Sequence, residues 1–428
     1  MRYFAKLALL IVLLVICNSS AYAQQLDLNY FINSALRNDP AIRQNINQQQ
    51  TYSLQSQLIN AQNSTQVNFT SDYIFVPYFG SDGRPISITP NPSPGAFGYD
   101  AALTNGGMYA TQLNVAIPLL NKKTLSALQF QNTSQAQINS NARLQLEHDL
   151  RKTIIDAYIQ VYQTQQQGEY LKLIIAQVKE RKKTVEALVK RGLLQQSDYL
   201  LLEIEQNARE TDLSLARIAE VSAYGTLKNT AIVTDSSMNR LIEPTITLQA
   251  NPHALYFMQK FKLDSLNLVV QQQVFNTRYL PTLSFAGSGG MLASDFTNIP
   301  HNIGLQASLH LNVPIYDGRQ RKINNAQSRI SQQGLIYTRE TAVIQQKNYL
   351  QTIQKQINLY NQNIELINQL LQKQDLLLRL DKEKLQSGQL SIIEYIKSIS
   401  DYAAARQSLT VAKVQVLLLA NQYNYYNW

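Results

Sequence analysis

The sequence has 428 residues, of which 45% are hydrophobic and 16% charged, with a formal net charge of +9 and a single cysteine. One cysteine excludes an internal disulfide framework and a cysteine-based metal site. The cations are spread along the chain without a dense basic block, which argues against nucleic acid as a partner.

Arg2 and Lys6 precede an apolar run from Leu7 to Ile16, and Ala21-Tyr22-Ala23 forms a small-x-small cleavage site, so residues 1–23 read as a secretory signal peptide. The alternative is an N-terminal membrane anchor, but the run falls short of the roughly 20 apolar residues that cross a bilayer. Lipidation of Cys17 would need a small residue before it, and Ile16 stands there. Cleavage after Ala23 removes Arg2 and Lys6 and leaves a net charge of +7.

The remainder reads as an internal duplication. Leu113-Asn114-Val115-Ala116-Ile117-Pro118 aligns with Leu309-His310-Leu311-Asn312-Val313-Pro314, and the two prolines lie 196 residues apart. Gly192, Leu194, Asp198 and Tyr199 align with Gly388, Leu390, Glu394 and Tyr395 at the same spacing of 196. Asn38-Asp39-Pro40 matches Asn251-Pro252 at 212, so the first copy carries extra residues before Pro118, and the proline- and glycine-rich stretch from Pro77 to Gly107 is a long loop. The first repeat is expected over 24–228, with a β-hairpin at 67–118, a long helix at 121–190 and a return helix at 195–225. The second is expected over 229–428, with a helix, a hairpin at 281–314, a long helix at 317–386 and a return helix at 391–423.

Four segments alternate with period two. Ile303, Leu305, Ala307, Leu309, Leu311 and Val313 interleave with Gly304, Gln306, Ser308, His310 and Asn312. Leu113, Val115 and Ile117 interleave with Gln112, Asn114 and Ala116; Val67, Phe69 and Tyr73 with Asn68, Thr70 and Asp72; Leu283 and Phe285 mark a shorter fourth case. One reading is a soluble sandwich. The other is a membrane wall, because strands of about 9 to 11 residues cross a bilayer when tilted. Such a sheet must close so that no backbone group is left unpaired in lipid, and small barrels need about eight strands. Four cannot close; three chains would supply twelve, with Gln112, Asn114, Gln306, His310 and Asn312 facing a wet lumen.

No proline interrupts 121–190 or 317–386, and at ~1.5 Å per residue such segments are about 100 Å long. Leu350, Ile353, Ile357, Tyr360, Ile364, Ile367, Leu371, Leu378 and Leu385 step by three, four or seven, as do Leu171, Ile175, Val178, Val185 and Val189. The remaining faces are rich in Gln and Asn, which suits either further helix contacts or an ordinary polar surface.

In the order of these elements, their equal spacing and the flanking Leu26-Asp27-Leu28-Asn29, Ala35 and Tyr423, the chain resembles the TolC-like outer membrane factors. The resemblance implies an α+β membrane protein, a trimeric 12-stranded β-barrel with four strands per chain, continued by a long periplasmic α-helical coiled-coil barrel. It further implies an outer-membrane location with a periplasmic extension, no cofactor, and as partners two further copies of the chain, outer-membrane lipid, a periplasmic adaptor and an inner-membrane pump or ABC transporter. The implied role is the passive exit duct of a tripartite efflux system. A conduit for type I protein secretion and a non-pore periplasmic scaffold are the alternatives.

On the same resemblance, Arg191, Gly192, Leu193 and Leu194 form one adaptor-docking tip and Gly388, Gln389 and Leu390 the other, Arg191 replacing the family's valine. Asp198 and Glu394 fall where family members place carboxylates at the entrance; both are also placed as helix N-terminal acids, a reading that needs no pore. Lys397 stands where an aspartate is common and within pairing distance of Glu394 along a helix. Pro118 and Pro314 mark the strand-to-helix junctions. No enzyme is expected: His148, His253, His301 and His310 are scattered, and Gly287-Ser288-Gly289-Gly290 reads as a turn without the lysine of a phosphate loop.

Overall fold

The computed structural model describes residues 27–75, 107–250, 255–293, 302–387 and 389–428. The expected signal at 1–23 with Cys17, the loop from Pro77 as far as residue 106, His253, His301 and Gly388 lie outside them.

In chain order the elements are α1 (Leu28–Asn38), α2 (Pro40–Gln62), β1 (Gln66–Phe75), β2 (Gly107–Pro118), α3 (Lys122–Lys190), α4 (Gln196–Ala231), α5 (Leu255–Thr277), β3 (Thr282–Ala293), β4 (Ile303–Asn312), α6 (Gln320–Gln386) and α7 (Ile392–Tyr426). Each hairpin is followed by a helix of 69 or 67 residues and then one of 36 or 35. The ends are chemically set. Asp27 caps α1 by accepting from the Tyr30 amide, and proline at the first position of α2 forfeits only a donor that would have no partner there.

Two compact units divide the chain. The sheet-bearing unit comprises residues 46–141 and 258–339. Its four strands form one antiparallel sheet in the order β1-β2-β3-β4. The registers place Val67, Val115, Gly287 and Ala307 in one row across the sheet and Phe69, Leu113, Gly289 and Leu305 in another, whereas Asn68, Asn114, Ser288 and Gln306 share the opposite face. Its helices are joined by side-chain amides: Gln129 bonds Ser56 and Asn60, Asn132 donates to the Tyr52 carbonyl, and Gln135 donates to Asn267. At these positions the Gln- and Asn-rich faces serve helix contacts.

The glycine run is not a turn. Gly287, Gly289 and Gly290 sit inside β3, which is 12 residues long rather than the short strand expected from Leu283 and Phe285. A Cβ on Gly290 would collide with the Thr111 carbonyl oxygen, and one on Gly289 would stand 2.8 Å from Leu305 Cδ2. Glycine here serves a close approach between strands. Gly290→Val is therefore expected to cost roughly 1–3 kcal/mol or more through forced separation of β2 and β3; thermal unfolding of the purified chain checks this, and an unchanged midpoint would refute it.

The second unit, the helical one, comprises residues up to 45, 142–257 and 340–428. The expected helical seams pack as such. Ile353, Ile357, Leu371 and Leu385 are buried, as are Leu171, Ile175, Val178 and Val185. One cluster joins Phe31, Ile32 and Ala35 of α1 to Ile154, Tyr158 and Val161 of α3, Tyr224 and Leu227 of α4, and Leu241. At about 1.5–3 kcal/mol per large apolar side chain, this burial anchors the short α1.

Leu241 belongs to a segment whose role the periodicity did not show. The expected start of the second repeat at 229 falls in the last turn of α4, which ends at Ile232 in the left-handed region (φ 53°), and 233–250 follows without helix or strand. Its backbone is satisfied by side chains. Tyr158 Oη donates to the Ile242 carbonyl at 2.9 Å, Gln165 both donates to Asn239 O and accepts from Leu241 N, and Asn424 does the same for Thr247 O and Gln249 N. Near the C-terminus, His148 stacks between Tyr425 and Trp428, with centroids 4.8 and 4.1 Å away, and burial holds its imidazole below the ordinary value.

Candidate functional site

The sheet is the first feature with functional geometry. Along β4, Ile303, Leu305, Leu309 and Leu311 are 61–93% exposed, as are Val67, Phe69 and Tyr73 at 57–69% on β1. All lie on the face shared by the apolar rows. The other face carries Gln112, Asn114, Gln306, His310 and Asn312, as expected, and Asn114 Nδ2 donates to Thr70 Oγ1 at 2.7 Å across it. β1 and β4 each pair on one side only, so the sheet has two open edges. Neither face is a sandwich interior, since among the described residues no second sheet packs against it.

The turns are the second feature. Gly192 adopts φ +72°, its amide donates to Val189 O at 2.8 Å, and the Leu193 amide donates to Leu188 O at 3.0 Å. That pair of bonds is the Schellman stop of a helix, in which glycine takes the left-handed position without a Cβ penalty. In the second copy the Gln389 amide donates to Lys384 O at 2.8 Å, the equivalent bond 196 residues on; Gly388 between them is outside the described residues. Arg191 and Leu193 are exposed, whereas Leu194 and Leu390 pack against one cluster that includes Val185, Leu202, Leu385, Ile392 and Tyr395. Beneath the turns, buried Arg181 donates through Nε to Tyr395 Oη at 3.0 Å.

The two acids share a role. Asp198 accepts from the Gln195 amide at 3.0 Å at the start of α4; Glu394 accepts from the Ser391 amide at 3.2 Å at the start of α7, and its own amide donates to Ser391 Oγ. The Ser391 hydroxyl and amide hold the Glu394 carboxyl below the usual carboxylate range. Each acid is thus a capping residue of its own helix, and within one chain no bond joins the two. Lys397 does not pair with Glu394: none of the ion pairs among the described residues involves either residue, because the carboxylate is turned back to the cap. Pro118 closes β2 opposite Ser284, and Pro314 follows β4 after Val313.

Among the described residues, no group of three His, Cys, Asp or Glu side chains could hold a metal, and no helix is long and apolar enough to cross a membrane. His310 lies on the polar face of the sheet, and His148 is stacked on Tyr425 in the helical unit.

No family model matches the sequence, and no curated protein matches it. Solved structures do. The chain is similar to that of CusC, studied for the changes accompanying its folding and transmembrane channel formation, with a TM-score of 0.73 and 13% identity over 94% of this chain and 92% of that one. It is similar to the outer membrane protein VceC of Vibrio cholerae (TM-score 0.70, 12% identity, 94% and 96% covered) and to the CmeC outer membrane channel of Campylobacter jejuni (0.71, 12%, 94% and 85%). Two hairpins in one four-stranded sheet, each followed by a helix of nearly 70 residues, therefore make up the fold of an outer-membrane channel chain. More particularly, it is the fold of the TolC-like outer membrane factors, whose motifs the sequence resembles.

Proposed function

We propose that the chain is the outer-membrane channel subunit of a tripartite efflux system, a passive exit duct for small molecules built from three copies and catalysing no reaction. The observation that carries this is the sheet: one face mostly apolar, broken by the Ser71–Thr111 hydroxyl pair, one polar face whose only charged residue among those described is Asp72, and two edges with unpaired backbone groups. Water would satisfy those edges, but it would not tolerate the exposed apolar rows; lipid tolerates the rows and forbids the edges. Joining β4 of one copy to β1 of the next resolves both demands, since the four strands alternate in direction and the new pairs are antiparallel. Three copies close at twelve strands.

In such a barrel the apolar rows meet lipid, and Gln112, Asn114, Gln306, His310 and Asn312 line water. A hydrogen-bonding wall whose charge among the described residues is limited to Asp72 selects weakly, so cargo choice rests with an inner-membrane pump. The chain sits in the outer membrane of a Gram-negative bacterium with its helices in the periplasm, where Arg191 to Leu194 and Gln389 to Leu390 offer two rigid turns to a periplasmic adaptor. Three copies would gather six capping carboxylates from Asp198 and Glu394 around one entrance, and their charge favours cations there.

Stepwise conductance from the purified chain in planar bilayers tests the reading; a stable, water-soluble monomer after export would overturn it. The tip assignment has a separate test. Proline cannot reach φ +72° and has no amide for Val189 O, so Gly192→Pro is expected to keep bilayer conductance and lose adaptor-dependent export. Unchanged export would remove the tip from the docking site.

A further inference from the structure

The ten ion pairs among the described residues all lie in the helical unit. The charge is equally uneven. The described part of the helical unit has 25 basic and 23 acidic side chains, that of the sheet-bearing unit ten and three. Among the described residues the excess of cations thus lies in the sheet-bearing unit, on side chains without a carboxylate partner.

Seven of those ten cations stand near the strand-to-helix junctions, and at three junctions the chain passes through the same sequence of chemistries. β4 leads through exposed Ile315 and Tyr316 (95% and 83%) to Arg319, Arg321, Lys322 and, one helical stretch on, Arg329. β2 leads through exposed Leu119 and Leu120 to Lys122 and Lys123, and β3 is entered through Arg278, Tyr279 and Leu280. Apolar strand, interfacial aromatic or leucine, then cation is the order of hydrocarbon, headgroup boundary and phosphate at a membrane surface.

At the β4 junction a cavity of about 800 Å³ opens, lined by Tyr279, Ile315, Tyr316, Arg319, Lys322 and Arg329 among others. Its carboxylate, on Asp317, is already committed: it accepts the Arg319 and Arg321 amides at 2.9 and 2.8 Å at the start of α6. Arg321 is held in place by donation from Nε to Asn276 Oδ1 and lies over the Tyr279 ring, 5.7 Å from its centroid. A negatively charged group entering the cavity meets Arg319, Arg321, Lys322 and Arg329 against the single capping carboxylate of Asp317.

We propose that this cavity binds the phosphate headgroup of an anionic glycerophospholipid from the periplasm-facing leaflet, with Arg319, Lys322 and Arg329 on the phosphodiester and Ile315 and Tyr316 against the acyl region. This rests on reading the sheet as a membrane wall. The bound lipid fixes the depth of the barrel at the boundary between strands and helices.

The test compares the purified full-length chain with R319Q/K322Q/R329Q and with the charge-keeping R319K/R329K. Each is incubated with phosphatidylglycerol, phosphatidylcholine or inorganic phosphate, and retained ligand is read by native mass spectrometry. Removing three cations is expected to weaken phosphatidylglycerol retention on the order of a hundredfold or more, with R319K/R329K close to wild type and millimolar phosphate unable to compete. Equal retention by wild type and the glutamine variant overturns the inference, as does displacement by inorganic phosphate alone or occupation of the cavity by a second copy of the chain. Conductance in planar bilayers is measured alongside. A conducting wild type without lipid preference overturns the site and leaves the channel standing, whereas a wild type that neither inserts nor conducts overturns both. Should the triple variant fail to assemble, Arg329→Gln alone is expected to lower retention several-fold, and no change there overturns the site equally.

Discussion

Leu309→Arg is expected to abolish membrane assembly of the chain. Leu309 is 67% exposed on the apolar face and stands opposite Phe285, which in turn stands opposite Ile117. An arginine on the lipid face of a barrel costs about 2–4 kcal/mol near the bilayer midplane. In a trimer that cost is incurred three times, on the order of 6–12 kcal/mol against a native stability of about 5–15 kcal/mol for a typical domain. The companion substitution Gln306→Arg places the same side chain three residues away on the polar face. There it is expected to leave assembly intact and to shift conductance toward anions. Heat-modifiable oligomers in an outer-membrane fraction provide the first readout and reversal potentials the second. If the two variants assemble equally well, the sheet does not face lipid as proposed.

Phe31→Ala is expected to destabilise the helical unit by about 3–5 kcal/mol, the range for truncating a buried phenylalanine. Phe31 is fully buried and meets Tyr158 edge-on at 6.0 Å and Tyr30 at 5.3 Å, within the cluster that holds α1 against α3 and α4. The cavity cannot collapse easily, because Tyr158 is fixed by its bond to the Ile242 carbonyl. Met238→Ala on the exposed side of the 233–250 segment serves as control and is expected within about 0.5 kcal/mol of wild type. Chemical denaturation distinguishes them, and release of the N-terminal helix to protease should accompany the loss. Equal midpoints for the two variants would show that α1 is not anchored through this cluster.

How much was legible varied by element. The period-two pattern of Ile303 to Asn312 and the heptad steps from Ile353 to Leu385 were visible because each strand or helix declares its buried face through its own spacing. The turn at Gly192 was visible for a similar reason: only glycine suits the left-handed stop. Misread was the run Gly287 to Gly290. Glycines close a turn or admit a neighbouring strand with the same composition, and the difference lies in Thr111 and Leu305, which are remote along the chain. The 233–250 segment had no period to read, since its order comes from Gln165, Tyr158 and Asn424 on distant helices. Asp198 and Glu394 stood open between cap and gate; the bonds to Gln195 and Ser391 establish the cap, and the gate depends on neighbouring copies.

Local patterning was thus enough to declare the strands and the long helices, because those follow from periodicity. Long-range geometry was needed to say which rows of side chains share a face, where the segment after α4 lies, and that the unpaired cations gather in the sheet-bearing unit. Such facts depend on which remote residues come within a few ångströms of one another, a property that no local spacing encodes.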